Sequence, residues 1–206
     1  MIPTSPDFGY DISDIDINDP PRDPIALMIA WLPPHESELR PLSALATIGL
    51  EGIPTVRHVL VSDADENGLY FHTDGTSRKA AELAASPVAA LSVAWPSIGR
   101  QLSVRGAVEQ LSPEESGIAY RLRSRYLKLL AWQNTPEVAL LPRDERRARW
   151  AAFEAEHPDL EPPTEWAGYR IRPRTITFWR GDAEGPSNRH EYALGADGWT
   201  SAVLPG

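Results

Sequence analysis

The sequence predicts a mainly β domain with a few helices, in which an antiparallel sheet of six to seven strands curls into a barrel. Short segments of alternating or apolar residues recur between turns, and Asn67-Gly68 between two of them is a strong hairpin signal. Short turns require antiparallel pairing, and a closed or split barrel hides the edges of so many strands. The chain has no internal repeat and no GxGxxG motif, so a Rossmann domain is not expected.

Composition places the chain among ordinary globular proteins and excludes several functions. Its 206 residues suit one domain, which we expect over 23–206 after an acidic tail over 1–22. The net charge of -9 argues against nucleic acid and membrane surfaces as partners. The chain has no cysteine and its histidines lack metal-ligand spacing, so we expect neither disulfides nor a metal site. No leader or membrane-spanning run is visible, which predicts a cytoplasmic protein.

Breaking and capping residues predict where several elements begin and end. Helices are expected over 23–31, over 78–85 before Pro87, from the capping box Ser112-Pro113-Glu114-Glu115 to about Leu130, and over 144–156. The apolar run 88–95 predicts a strand that is buried on both faces. In 101–108 the residues alternate, which predicts one polar and one apolar face. Separate strands are expected over 166–171 and 175–180.

The helix predicted over 78–85 begins with two cations, Arg78 and Lys79. A helix N-terminus already carries partial positive charge, so cations in the first turn oppose the macrodipole. They are favourable if an anion binds there, because free backbone N–H groups and basic side chains together bind phosphate well. The sequence therefore predicts a phosphate site at this helix start.

Other polar residues allow two interpretations each. Arg57 in a predicted strand is either a solvated residue or a third cation around the same phosphate. Gln101 is either solvated or a contact to a heteroaromatic ring, and Trp179 is either a core residue or a ring contact. His72 is either a ligand contact or a structural histidine. No nucleophile elbow is present and no catalytic residue can be assigned, so acyl transfer is not expected.

Several short motifs occur in an order that resembles the pyridoxamine 5′-phosphate oxidase family of FMN flavoproteins. They are Arg57-His58-Val59-Leu60, Phe71-His72-Thr73, Ser77-Arg78-Lys79, Arg100-Gln101, Trp166-Ala167-Gly168-Tyr169-Arg170, Phe178-Trp179-Arg180-Gly181 and Leu204-Pro205. The resemblance covers nearly all of the chain after the acidic tail. It implies a homodimer of FMN-binding split β-barrels, with FMN in the subunit interface and O2 as electron acceptor.

The resemblance also implies which residues contact FMN. Those lining its phosphate and ribityl side would be Arg57, His58, Val59, Leu60, His72, Thr73, Arg78 and Lys79. Gln101, Trp179 and Arg189 would reach the same flavin, some of them from the partner subunit. In such an enzyme the flavin performs the two-electron chemistry, and the protein supplies placement and electrostatics.

The positions that contact the substrate in the family are mostly changed. Ser62 replaces a phosphate-binding Lys, Ala119 a Tyr, and Leu127 a Ser, whereas Arg123 still matches the expected Arg. Pro136-Glu137 replaces a Gln-Ser flavin contact. The Arg-Leu-His-Asp-Arg motif reads Gly185-Pro186-Ser187-Asn188-Arg189, so Ser187 takes the place of the His. Arg123 and Ser187 are the remaining candidate substrate contacts.

This pattern predicts an FMN-dependent oxidase that acts on another small cyclic substrate, such as the dihydro-aromatic precursors used by phenazine-pathway oxidases. The alternatives are a working pyridoxine or pyridoxamine phosphate oxidase with a rearranged site, a non-catalytic flavin-binding protein, and a split-barrel protein that uses a deazaflavin or haem.

Overall fold

The structure is a computed structural model that describes residues 21–32 and 42–206. The predicted acidic tail therefore lies almost entirely outside the described residues. The strands are β1 (Leu42–Ile48), β2 (Pro54–Leu60), β3 (Asp63–Asp65), β4 (Gly68–Asp74), β5 (Val88–Trp95), β6 (Arg100–Gln110), β7 (Trp166–Arg180), β8 (Asn188–Gly195) and β9 (Gly198–Pro205). The helices are α1 (Pro24–Trp31), α2 (Arg78–Ala85), α3 (Pro113–Arg121), α4 (Arg125–Gln133), α5 (Pro136–Ala139) and α6 (Arg143–Glu156).

All the strands of the described residues join one curled antiparallel sheet. Seven of them follow the order β2-β1-β5-β6-β7-β4-β3, and the hairpin β8–β9 extends from β7. The predicted hairpin at Asn67-Gly68 is present and joins β3 to β4. This agrees with the mainly β, curled architecture that the sequence predicts.

The core lies inside the curled sheet, and α1 packs on it. Asp23 caps this helix by accepting hydrogen bonds from the backbone of Ile25 and Ala26. Trp31 is almost fully buried and makes an edge contact with Phe178, at 5.0 Å between ring centroids. The N-terminal helix is therefore part of the barrel core. Within 21–32 and 42–206, no helix is long and apolar enough to cross a membrane.

The predicted bounds of α2 are confirmed, but the predicted helix after Ser112 is wrong in length. The capping box of Ser112 and Glu115 is present at the start of α3. The helix ends at Arg121, and Ser124 caps a new helix by accepting from the backbone of Leu127. Because Ser124 has an extended ψ of 154°, the chain changes direction there and places Arg123 in the connection.

Two predictions about strands are also wrong. The run 88–95 forms β5, but burial alternates along it, and Val88 is 46% exposed in the single chain. The expected strands 166–171 and 175–180 form one continuous strand, β7. Pro173 is accommodated because the register with β6 shifts at Gly106, opposite it. A bulge is one of the few places where a sheet tolerates proline.

Gly106 tests this packing. A Cβ at Gly106 would lie 1.8 Å from the backbone oxygen of Arg172, a contact that only a backbone shift can relieve. Gly106→Ala should lower the free energy of unfolding by about 2 kcal/mol or more. Gly117→Ala in α3 is the control, since its Cβ meets only the end of the Arg121 side chain at 3.5 Å. It should stabilise the protein by up to about 1 kcal/mol in denaturant titrations.

Candidate functional site

A buried carboxylate lies at the centre of the predicted phosphate site. Glu82 of α2 has no exposed surface. One guanidinium nitrogen of Arg57 lies 2.5 Å from Glu82 Oε2, and Arg78 Nε lies 2.9 Å from Oε1. Thr47 and Thr55 donate hydrogen bonds to Oε2 at 2.6 and 2.8 Å. The network joins β1, β2 and α2 and brings together two cations that the sequence predicted for one site.

The outer part of the site is more exposed. Arg78 also bonds Glu51 in the turn between β1 and β2, at 2.8 Å, and both side chains are at least half exposed. Lys79 donates a hydrogen bond to Thr73 Oγ1 at 2.9 Å. Burial, together with the nearby charge of Arg57, lowers the pKa of Lys79. The predicted pair Thr73 and Lys79 is therefore in direct contact.

The start of α2 has a buried hydroxyl group without a hydrogen-bond partner among the described residues. Ser77 is the N-cap residue, but its side chain caps no backbone N–H. Its Oγ is buried and has no hydrogen-bond partner among the described residues. Buried polar groups are rarely left without a partner, so an unpaired hydroxyl at a helix start fits a ligand that accepts hydrogen bonds. An anion such as a phosphate monoester meets this requirement.

Arg57 and its neighbours alternate across β2. Arg57 and Val59 point to the inner face, and Arg57 also donates to the Thr47 hydroxyl at 2.5 Å. The interpretation of Arg57 as a purely solvated residue is therefore wrong. His58 is exposed on the opposite face, and Leu60 is half-buried on that face.

Three of the predicted ring contacts lie in one row across neighbouring strands. Gln101 on β6 is the register partner of Trp179 on β7, and Trp179 is the partner of Arg189 on β8. All three side chains are on the face away from the core, where Trp179 is half-buried and the other two are exposed. The core interpretation of Trp179 is therefore wrong, and the row offers an amide, an indole and a guanidinium to one surface ligand.

A groove of about 610 Å³ opens on the outer face of β1, β5 and β6. Most of its lining is apolar or small, and includes Ala46, Val88 and Ala90. Thr47 also lines it, but the Thr47 side chain bonds Arg57 and Glu82 on the inner face, so the groove and the cation network lie on opposite faces of β1.

His72 belongs to a separate stack. Its ring lies parallel to that of Trp166, at 5.4 Å between centroids, and the Arg123 guanidinium lies 4.7 Å from the Trp166 ring centre. His72 Nδ1 is 2.8 Å from the Ser62 hydroxyl. Gly168 is needed beside this stack, because a Cβ there would lie 2.8 Å from His72 Nε2. The structure thus brings Ser62 and Arg123 to the same stack, two positions that the family resemblance assigns to the substrate side.

Ser187 lies elsewhere. It precedes β8, and the backbone of Gly206 packs tightly against its hydroxyl. It is therefore on a different element from Arg123, and its role as a substrate contact stays a prediction.

The comparisons with known proteins decide the family. A family model described as "Pyridoxamine 5'-phosphate oxidase" matches residues 36–179, more than half of the chain. The chain belongs to this family. The pyridoxine/pyridoxamine 5′-phosphate oxidase of Thermosynechococcus vestitus is 38% identical over 191 residues, covering 91% of this chain and 90% of that protein. The enzyme of the same name from Burkholderia multivorans is 35% identical over 204 residues, covering 96% and 95%.

A solved structure supports the same assignment. PhzG from Burkholderia lata 383, in complex with tetrahydrophenazine-1-carboxylic acid, superimposes with a TM-score of 0.82 at 26% identity. The likeness covers 96% of this chain and 99% of PhzG. The predicted split β-barrel fold is therefore confirmed, and family membership places the chain among flavin-type oxidoreductases.

Sequence reasoning missed the residues that organise the cations. Glu82 follows Arg78 by four positions, the spacing of a helical ion pair, and this was the available signal. Thr47 and Thr55 are register partners on neighbouring strands, which only the sheet pairing reveals. Glu51 in a turn gave no signal at all.

The half-buried ring of His72 gives the stability of the protein a pH dependence. Burial, followed by the charge of Arg123, lowers its pKa from 6.5 to about 4, while Asp63 acts in the opposite direction. The folded state binds this proton more weakly than the unfolded state. The neutral His72 ring therefore costs no stability above pH 6.5, and the free energy of unfolding decreases as the pH falls from 6.5 towards 4.

Unfolding free energies of wild type should therefore fall by up to about 3 kcal/mol over this range through His72. His72→Gln should remove this part of the pH dependence and keep the part from His190, whose pKa is lowered by burial. His58→Gln, at an exposed histidine, is the control. An unchanged slope in His72→Gln would contradict the assignment.

Proposed function

We propose that the protein is an FMN-dependent oxidase that transfers two electrons from a small cyclic substrate to O2, working as a homodimer. The observation that carries this proposal is the set of cations at the start of α2, together with the unpaired hydroxyl of Ser77 among them. A phosphate group and a flat ring are the two ends of FMN; the cations suit the phosphate, and the row of Gln101, Trp179 and Arg189 suits the ring.

The chain's residues fit FMN at its phosphate end. Arg57, Arg78 and Lys79 supply positive charge, and the unpaired Ser77 hydroxyl and the first turn of α2 supply hydrogen-bond donors. When bound, FMN would supply two-electron oxidation of the substrate and reoxidation by O2. We propose that Thr73 holds Lys79 in place through the hydrogen bond between them.

The remaining predicted contacts suit the ring. Gln101 can donate to and accept from ring edges, Trp179 can pack on a flat face, and Arg189 adds a cation in the same row. Among the described residues β2 is an edge strand, so one side of the backbone of His58, Val59 and Leu60 can bond the ligand. We propose His72 as a contact to FMN, as the family resemblance implies; its ring bonds Ser62 and stacks on Trp166, which Arg123 also contacts.

Exposed apolar residues support a second copy of the chain as partner. Leu50, Ile53 and Val56 are each more than 60% exposed around the turn and edge of β1 and β2, and Val88 borders the groove. Exposed apolar groups in one area usually mark an interface. A homodimer would cover this face and enclose a ligand in the groove, as the family resemblance implies.

The substrate side supports a ligand other than a pyridoxine phosphate. Ser62 supplies no charge, the side chains of Ala119 and Leu127 cannot donate hydrogen bonds, and Arg123 is the remaining cation of the expected set. One guanidinium balances the single charge of a carboxylate, but only half the charge of a phosphate dianion. The ligand in the PhzG structure, tetrahydrophenazine-1-carboxylic acid, has one carboxylate on a partly reduced ring system. We therefore propose a dihydro-aromatic carboxylic acid as the substrate class.

A second candidate is oxidation of pyridoxine or pyridoxamine phosphate, which is favoured by the names of the curated relatives. The two are separated by measuring O2 consumption with pyridoxamine phosphate and with a dihydrophenazine carboxylic acid. We expect kcat/KM to be higher for the carboxylic acid. A higher value for pyridoxamine phosphate would support the second candidate instead.

The role of Arg123 gives a further prediction. Arg123→Ala should raise KM for the carboxylic acid about tenfold or more, because a charged hydrogen bond is lost. With an uncharged analogue of the same ring system, kcat/KM should be unchanged. Arg121→Ala, an exposed cation two positions away, is the control and should leave both substrates unaffected.

The phosphate site is tested without any substrate. Arg78→Ala combined with Lys79→Ala should weaken FMN binding more than about tenfold, measured by quenching of flavin fluorescence, because two cations are removed from the phosphate. The control is Arg143→Ala with Arg146→Ala, which removes the same charge from exposed positions of α6. Equal FMN affinity in the two double variants would exclude Arg78 and Lys79 from the site.

A further inference from the structure

Glu82 is unusual because a fully buried carboxylate lies directly against the cations proposed to bind phosphate. A buried carboxylate next to a phosphate site repels the phosphate, because both groups are negatively charged. Attraction between opposite charges of the protein and FMN therefore does not explain why Glu82 lies there.

The two carboxylate oxygens of Glu82 accept hydrogen bonds from different elements. Oε2 accepts from both threonine hydroxyls and from Arg57, and therefore joins β1 and β2. Oε1 accepts from Nε of Arg78 one turn earlier on α2. Each arginine is thereby held to Glu82 through one guanidinium nitrogen, which restricts the rotamers that a long side chain would otherwise sample.

We propose that Glu82 is a positioning residue that holds the Arg57 and Arg78 guanidinium groups in the arrangement that receives the FMN phosphate. This proposal rests on the proposed function. Glu82 does not contact the phosphate; it acts through the two arginines. The affinity gained from preorganised donors exceeds the electrostatic cost of the nearby negative charge.

The carboxylate is ionised throughout the neutral pH range. Burial acts to raise its pKa, but hydrogen bonds from Thr47, Thr55, Arg78 and Arg57 together lower the pKa to about 2. The Glu82 carboxylate is therefore charged at every pH at which FMN binding would be measured.

Glu51 provides a matched comparison. It bonds the same Arg78, on another nitrogen, but it is exposed and lies in a turn. Exposed ion pairs restrict their partners little. Glu51→Gln and Glu82→Gln each remove one negative charge near the phosphate, and only Glu82→Gln removes the buried anchor.

The experiment measures dissociation constants for FMN and for riboflavin, which has no phosphate. Glu82→Gln should weaken FMN binding about tenfold or more and leave riboflavin binding unchanged. Glu51→Gln should leave FMN binding unchanged or tighter, because it removes only a competing charge. Opposite effects of the two variants on FMN would support positioning by Glu82.

Three outcomes would overturn the proposal. Tighter or unchanged FMN binding in Glu82→Gln would show that only the net charge matters. Equal weakening of FMN and riboflavin would show general damage to the fold. A wild-type protein that binds neither flavin would contradict the proposed function itself, and this inference with it.

A milder variant covers the case in which Glu82→Gln does not fold. Thr47→Val keeps the shape of the side chain but removes the hydroxyl that bonds both Glu82 and Arg57. Like Glu82→Gln, it should reduce the ratio of the dissociation constants of riboflavin and FMN. An unchanged preference in a folded Thr47→Val would also contradict the proposal.

Discussion

The pairing of β6 with β7 is the constraint on which most of the structure depends. All eleven residues of β6 have partners on the fifteen-residue β7, and the ladder continues past a bulge at Gly106 and Pro173. Since side chains alternate along paired strands, this one register sets which residues enter the core and which face outward. Leu102 and Phe178 point inward, and Gln101 and Trp179 point outward as partners. A shift by one residue would exchange the two faces.

The second organising feature is the charge network around Glu82, which lies where β1 and β2 form one end of the sheet. The buried carboxylate of Glu82 joins α2 to β1 and β2 and gathers two arginines beside it. A buried carboxylate without such partners would be strongly destabilising, so the fold and the cation arrangement depend on one another. The site proposed for phosphate is thus part of the structural core at its base and exposed only at its outer edge.

Local patterns predicted local structure well. The bounds of α2, the capping box of α3 and the Asn67-Gly68 hairpin are determined by residues close in sequence, so reading the chain was sufficient. The break before α4 was missed because Ser124 competes with a strong helical pattern on both sides. Burial of Val88–Trp95 on both faces was expected from its apolar composition, but small residues such as Ala90 and Ala94 line an outward face as readily as a core.

The candidate site was predictable only where one motif contains it. Arg78 and Lys79 are adjacent in sequence and Glu82 follows on the same helix, but its partners Thr47, Thr55 and Arg57 come from long-range packing of β1 and β2 against α2. The stack of His72, Trp166 and Arg123 also depends on pairing between β4 and β7 and on the unexpected helix break.

We propose that this member of the family binds FMN and that its substrate site differs from that of the pyridoxine phosphate oxidases. The most direct measurement is the visible absorption spectrum of the purified protein, followed by heat release and identification of the chromophore. We predict flavin bands, with FMN released at about one per chain. A colourless protein that also fails to bind added FMN would contradict the account.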